Sequence, residues 1–302
     1  MLPETEAAGV EVWVKRDDLL GLTTQNGLYS RAAWQGNKAR KLKYNLRAMQ
    51  EAGVRRVVTF GGAHSNHLRA VAALCAWAGI ETVGIVRGEQ PTHESSTLTF
   101  CREAGMELHF VTRAAYREKY TEASLTEWRA RFGDDAYLLP EGGSNALAVL
   151  GCADLVDELP TDKPTDYLLT ACGTGATAAG LLFGVHRHAF HAAHTQVVGV
   201  SVLKGGDFLR HDIEALLAPI IPHNLEERMA HFSLITDAHF GGYAKMPPEL
   251  RTFCDDFGTR TPIPVEPVYT GKLFAALFRL LEAGYFTRGS RIVAVHTGGL
   301  FV

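Results

Sequence analysis

Short β-branched runs separated by amphipathic stretches recur along almost the whole chain, and no other feature limits its possible folds so strongly. Val54 to Phe60, Glu81 to Val86, Glu107 to Val111 and Tyr137 to Leu139 each precede or follow a helical pattern. The series resumes with Tyr167 to Thr170, a helix from about Gly175, Val197 to Val202, a shorter run at Ser233 to Ile235, and Ile292 to Val295 near the end. Strands joined through helices run parallel, because a crossover that holds a helix brings the chain back in its original direction. The pattern predicts an α/β chain with mainly parallel sheets and helices on both faces.

Length argues for two lobes: the chain has 302 residues, and single cores stop growing near ~250 to 300. The glycine pairs Gly61-Gly62 and Gly142-Gly143 bracket a strand-helix series of its own. We therefore expect a smaller α/β domain over residues 44–145, inserted into a larger one made of 1–43 and 146–302. Prolines 247, 248, 262, 264 and 267 punctuate loops.

With 46% apolar and 21% charged residues, disorder, collagen and coiled coil are poor readings. The net charge of -3 gives no field that would gather a polyanion, so nucleic acid is not an expected partner. Cys75, Cys101, Cys152, Cys172 and Cys254 are odd in number and form no C-x-x-C pair, which speaks against a disulfide framework and for a cytoplasmic protein. Met1-Leu-Pro-Glu-Thr-Glu6 lacks the basic and apolar parts of a leader, and no run of ~18 apolar residues follows, so neither export nor a membrane is expected.

Three loops carry groups suited to chemistry. Thr170-Ala-Cys-Gly-Thr-Gly-Ala-Thr-Ala-Ala-Gly180 follows an apolar strand and opens an Ala-rich helix, where N–H groups converge on a place for an anion. It lacks the Gly-Lys-Ser/Thr ending of a nucleotide P-loop, and no acid follows the next strand to hold a ribose. The alternative is a tight turn that needs glycine for backbone reasons alone. Phe60-Gly-Gly-Ala-His-Ser-Asn-His67 suits a carboxylate on its N–H groups, or an ordinary helix cap at Ser65 or Asn66. Gln35-Gly-Asn-Lys-Ala-Arg-Lys-Leu-Lys43 places four cations at the start of a helix, the unfavourable end for positive charge; an anion expected there competes with a solvated basic face. The histidines at 186, 188, 191 and 194 have no acidic or cysteine partner nearby and are read as a solvated helix end, not a metal site.

Together these segments resemble the pyridoxal-phosphate enzymes of the tryptophan-synthase-β type (fold type II), within them the 1-aminocyclopropane-1-carboxylate deaminase and D-cysteine desulfhydrase family. The resemblance runs from about Val12 to the end. Its markers are Trp13-Val-Lys-Arg-Asp-Asp-Leu19, Gly36-Asn-Lys-Ala-Arg-Lys-Leu42, Gly61-Gly-Ala-His-Ser-Asn-His67, Glu141-Gly-Gly-Ser-Asn145, Gly173-Thr-Gly175, Pro267-Val-Tyr-Thr-Gly-Lys272 and His296-Thr-Gly-Gly299. The resemblance implies pyridoxal 5'-phosphate as cofactor, in the larger domain and in a cleft at the carboxyl ends of the strands, and a homodimer. It implies that Lys38 forms the Schiff base, its amine partly deprotonated by the neighbouring Arg40 and Lys41. Gly173, Thr174, Gly175, Ala176 and Thr177 would hold the phosphate with charge from Lys41, Asn66 the pyridoxal 3-oxygen, and Thr297 the pyridine nitrogen. Ser65, Asn66 and His67 would bind the substrate, and Tyr243 and Tyr269 would stand beside it as catalytic groups with Lys38 and Ser65.

Deaminases of the family carry Glu at the place of Thr270 and Leu at that of Thr297, whereas the desulfhydrase branch matches this chain at both. A hydroxyl leaves the ring nitrogen neutral, which suffices when thiolate departs from Cβ. The resemblance thus implies a lyase for a small D-amino acid, D-cysteine foremost, giving pyruvate, ammonia and hydrogen sulfide. The cyclopropane deaminase is the alternative within the family, and a non-catalytic pyridoxal-phosphate-binding protein the alternative outside catalysis. The stretch from Gly21 to Gln35 is longer than the family usually has, and is expected to reach the mouth of the site.

Overall fold

The computed structural model describes residues 3–20, 35–188, 190–192, 194–221 and 223–300. The long stretch singled out between Gly21 and Gln35 lies, but for its last residue, outside them. In chain order the elements begin with α1 (Pro3–Ala8), β1 (Glu11–Arg16), α2 (Asn37–Glu51), β2 (Arg56–Gly62), α3 (Asn66–Ala78), β3 (Glu81–Arg87), α4 (Ser96–Glu103) and β4 (Glu107–Val111). They continue with α5 (Arg113–Arg117), α6 (Glu122–Phe132), β5 (Tyr137–Leu139), α7 (Ala146–Ala153), β6 (Tyr167–Cys172), α8 (Ala176–Arg187) and β7 (Gln196–Ser201). The last are α9 (Leu209–Leu217), α10 (Leu225–Met229), β8 (Phe232–Ile235), α11 (Pro248–Arg260), α12 (Thr270–Glu282) and β9 (Arg291–His296).

The chain divides into two compact units, Met1–Leu19 with Ala146–Val302, and Leu20–Asn145. The first boundary thus falls at 19/20 rather than 43/44, which moves α2 and Lys38 into the inserted unit. Packing explains this: Leu42 and Met49 of α2 are buried in the same apolar cluster as Leu68, Val71 and Leu74 of α3.

In the larger unit the strand order is β1-β9-β6-β7-β8, and every pairing is parallel. Strand periodicity sorts its side chains onto two faces. Leu168, Val197 and Val293 pack with Leu181, Leu182 and Ile213 on one side, while their neighbours Leu169, Val198 and Ala294 pack with Phe257, Phe274 and Leu277 on the other. β1 was absent from the strands read from the sequence, because its apolar run, Val12-Trp-Val14, is only three residues long between Glu11 and Lys15-Arg16; it pairs with β9 from Glu11–Arg291 to Arg16–His296.

The inserted unit has the order β4-β3-β2-β5, again parallel throughout. Val57 faces α3, and Val58 faces Trp128 and Phe132 of α6. No disulfide forms among the described residues, and four of the five cysteines are buried. No helix among the described residues is long and apolar enough to cross a membrane.

Candidate active site

Each sheet has one switch point, where the chain leaves neighbouring strands in opposite directions and opens a crevice at their carboxyl ends. In the larger unit it lies between β6 and β9, so that the Gly173 turn follows one strand and Thr297 the other. In the inserted unit it lies between β2 and β5, so that Ser65, Asn66 and the Glu141–Gly143 turn follow. Both glycine-rich loops found in the sequence therefore stand where open α/β sheets bind ligands.

In the inserted unit, Ser65 caps α3 and its hydroxyl accepts from Leu68 N at 3.3 Å. The ordinary cap reading of Ser65 is thus realised; Ser65 and Asn66 stand together at the helix start, both partly exposed. Gly61 is required here, since a Cβ would meet Ser65 Oγ and Leu68 Cγ at 2.7 Å. His67 is turned away from solvent, 2% exposed, with Nε2 2.7 Å from Thr59 Oγ1 on β2. Burial, then the charges of Lys38 and Lys41, holds its imidazole well below the usual range. That influence places both lysines near His67. His67 is a buried neutral ring tied to the sheet, where the sequence had grouped it with the substrate-binding residues.

α2 starts at Gly36, φ 70°, with no side-chain cap. Lys38 Nζ donates to Asn37 Oδ1 at 2.9 Å. Arg40 and Lys41 are 5% and 3% exposed, so the cationic start of this helix is no solvated face. Asn45 anchors the helix: its Nδ2 donates to Lys41 O at 2.7 Å, and its Oδ1 accepts from Asn145 at 2.7 Å and from the Tyr137 hydroxyl at 3.0 Å.

In the larger unit, α8 begins at Gly175 in the left-handed region, φ 78°, and a glycine brings no side chain to the first N–H groups of the helix. A Cβ at Gly173 would stand 3.1 Å from Tyr269 Cε1. Glycine therefore keeps open the backbone approach that a phosphate needs, and the sequence around it, Gly173 to Thr177, fits the phosphate of pyridoxal phosphate. Tyr269 and Tyr243, both partly buried, meet with their hydroxyls 3.4 Å apart and their rings edge to face. Thr297 is 7% exposed and follows His296, whose Nε2 donates to Pro264 O at 2.6 Å and whose Nδ1 lies 3.3 Å from Asp18 Oδ1. His296 thereby ties the Thr297 turn to the segment that leads to Tyr269.

Two residues given no role by sequence reasoning stand behind these groups. Glu266, 3% exposed, accepts from the backbone N–H of Val268, Tyr269 and Thr270 at 2.7–2.9 Å and from the Thr270 hydroxyl at 3.1 Å. Burial pushes its carboxyl up to about 7 against the pull of those donors. Lys272, fully buried, donates to Gly242 O at 2.7 Å, and burial lowers its ammonium to about 8. The reading of the 186–194 histidines as solvated is corrected in part: His191 is wholly buried with neither ring nitrogen partnered among the described residues, and His186 binds Arg228, whereas His194 is exposed.

Parallel sheets with helices on both faces, polar loops at each switch point and an open glycine turn before an uncapped helix define a two-unit α/β enzyme that binds a phosphorylated cofactor. The chain belongs to the pyridoxal-phosphate dependent enzyme family, whose model matches residues 2–298. A Pyrococcus horikoshii protein, provisionally named a 1-aminocyclopropane-1-carboxylate deaminase, is 29% identical over 97% of this chain and 85% of its own. The bifunctional D-cysteine desulfhydrase/1-aminocyclopropane-1-carboxylate deaminase of Arabidopsis thaliana, a mitochondrial protein, is 27% identical over 97% of this chain and 73% of its own. A crystal structure of an ACC deaminase homologue superposes with a TM-score of 0.78 at 28% identity, covering 98% of this chain and 87% of that one. The fold is fold type II.

Proposed function

We propose that the protein is a pyridoxal-phosphate-dependent lyase of the deaminase and desulfhydrase type that eliminates thiolate from Cβ of D-cysteine, releasing pyruvate, ammonia and hydrogen sulfide. The observation that carries the choice of substrate is the setting of Thr270. Its side chain is wholly buried and its hydroxyl donates to Glu266 Oε1, so the place of the deaminases' glutamate holds a hydroxyl engaged by its own helix start.

Bound pyridoxal phosphate supplies the electron sink for the charge left when a bond to Cα breaks. The protein's own groups do the rest. Lys38 would anchor the cofactor, and its Nζ would take the Cα proton. The Gly173–Thr177 turn would hold the phosphate, and Lys41 would add charge to it. Asn66 holds the 3-oxygen, and Ser65 with its neighbouring N–H groups holds the substrate carboxylate. The Tyr243 and Tyr269 phenols would stand beside the substrate, and the Thr297 hydroxyl would leave the ring nitrogen neutral. This arrangement favours substrates that carry a good leaving group at Cβ.

The test is product release from the purified, cofactor-loaded protein. Pyruvate from D-cysteine should exceed both pyruvate from D-serine and 2-oxobutanoate from the cyclopropane substrate. Faster turnover of the cyclopropane overturns the choice, and no turnover of any of them supports a binding protein without catalysis. The deaminase reading stands second because the Arabidopsis relative carries both names. A cytoplasmic homodimer belongs to the same proposal, and light scattering tests the dimer.

A further inference from the structure

The turn that carries Tyr243 is strained. Phe240, Gly241, Gly242 and Ala244 all have positive φ, at 49°, 88°, 119° and 55°. Phe240 and Ala244 lack glycine's freedom, so this shape persists only where its surroundings over-determine it. The Gly242 carbonyl belongs to the peptide that leads into Tyr243, and it accepts both from Lys245 N at 3.1 Å and from Lys272 Nζ at 2.7 Å. Lys272 is wholly buried in the first turn of α12. A buried ammonium is costly to keep, and here it reaches 30 residues back in sequence to one carbonyl.

Glu266 acts from the other side of the same helix start. Its carboxylate grips the N–H groups of Tyr269 and Thr270 through Oε1 and that of Val268 through Oε2, and its negative charge favours the charged form of Lys272. A helix cap alone accounts for Glu266 but not for Lys272. The pair has one thing in common: each holds the backbone of a tyrosine, and the two tyrosines touch.

We propose that Lys272 and Glu266 are positioning residues that together fix the Tyr243–Tyr269 pair, Lys272 by pinning the Gly242 carbonyl of the strained turn and Glu266 by holding the backbone of Tyr269. The inference rests on the reading of the two phenols as groups at the substrate.

The experiment is a double-mutant cycle on the cofactor-loaded protein, together with amide hydrogen exchange on the protein with and without cofactor. Lys272→Met keeps the length of the side chain and removes the donor. It should lower kcat by about 10- to 100-fold, as a misplacement near 1 Å does, with KM changed less. On the Tyr243→Phe background the same substitution should cost less than about 2-fold, because the group it positions is gone. Exchange should rise at 240–245 while the strands keep their protection, in both forms. Should Lys272→Met fail to fold, Glu266→Gln on the Tyr269→Phe background makes the same test, with exchange rising at 268–270. Unchanged turnover in Tyr243→Phe and Tyr269→Phe overturns the reading of the phenols and this inference with it. Loss in those variants, with additive effects of Lys272→Met or a general rise in exchange, overturns the inference alone.

Discussion

The His67 Nε2 lies 2.7 Å from the Thr59 hydroxyl, and that hydroxyl already donates its one proton to Leu139 O at 2.9 Å. His67 is therefore the donor of the pair, protonated on Nε2 and neutral, with Nδ1 buried and unpartnered among the described residues. Its shift is downward, caused first by burial and then by Lys38 and Lys41. The folded state thus resists a proton that the unfolded chain takes up near pH ~6.5. Stability from this group is fully present above that pH and is lost as pH falls below it, by up to about 1.4 kcal/mol per unit. Urea unfolding between pH 7.5 and 5.5 should show a fall in stability, and His67→Gln should make it shallower by one group's share. An unchanged slope in the variant would show that His67 does not titrate in this way.

The proposed choice of substrate turns on Thr270, and its surroundings predict what replacing it does. A carboxylate introduced by Thr270→Glu would stand beside buried Glu266, which already accepts from this residue's N–H and hydroxyl. Two like charges in one buried place should cost about 3–5 kcal/mol. Adding Glu266→Gln should recover a large part of the loss in urea unfolding. With that compensation and Thr297→Leu, the ratio of 2-oxobutanoate from the cyclopropane to pyruvate from D-cysteine should rise. Equal stability of Thr270→Glu and the wild type would mean that the two side chains do not share a site.

Lys38 heads α2 with its Nζ on Asn37. Lys38→Ala should abolish covalent retention of the cofactor, seen as loss of visible absorbance after gel filtration, whereas Lys43→Ala should retain it. Borohydride reduction followed by peptide mapping identifies the lysine directly. A tag elsewhere than Lys38 removes it from the mechanism.

Two helical glycines should respond in opposite directions to alanine. At Gly180 in α8 a Cβ would run into Cys152 Cβ and lie 2.8 Å from Val149 O on α7, so Gly180→Ala should destabilise by about 1–3 kcal/mol or more. At Gly258 in α11 nothing stands within 4 Å, so Gly258→Ala should stabilise by about 0.5–1 kcal/mol. Thermal unfolding of both variants in one buffer checks the pair.

The period of the apolar residues was enough to specify the parallel α/β character, because a strand buried on both faces must be apolar over most of its length, as the runs around Leu168-Leu169 and Val197-Val198 are. The loops that carry Lys38, Ser65 and Gly173 were legible for a related reason: glycine followed by polar residues between a strand and a helix is a local requirement of the turn. β1 escaped because it lies at the sheet edge, where its Trp13 stays 47% exposed and the apolar run shrinks to Val12-Trp-Val14.

Tertiary structure alone decided the rest. It assigned α2 to the inserted unit, since the partners of Leu42 and Met49 lie on α3 and are not written in α2 itself. It turned His67 inward against Thr59, buried His191, and brought Lys272 to Gly242 and Glu266 to Tyr269. Local sequence fixes which conformation a segment prefers, but a buried polar group takes its partner from whatever donor or acceptor the packing brings near, and that partner can lie far along the chain.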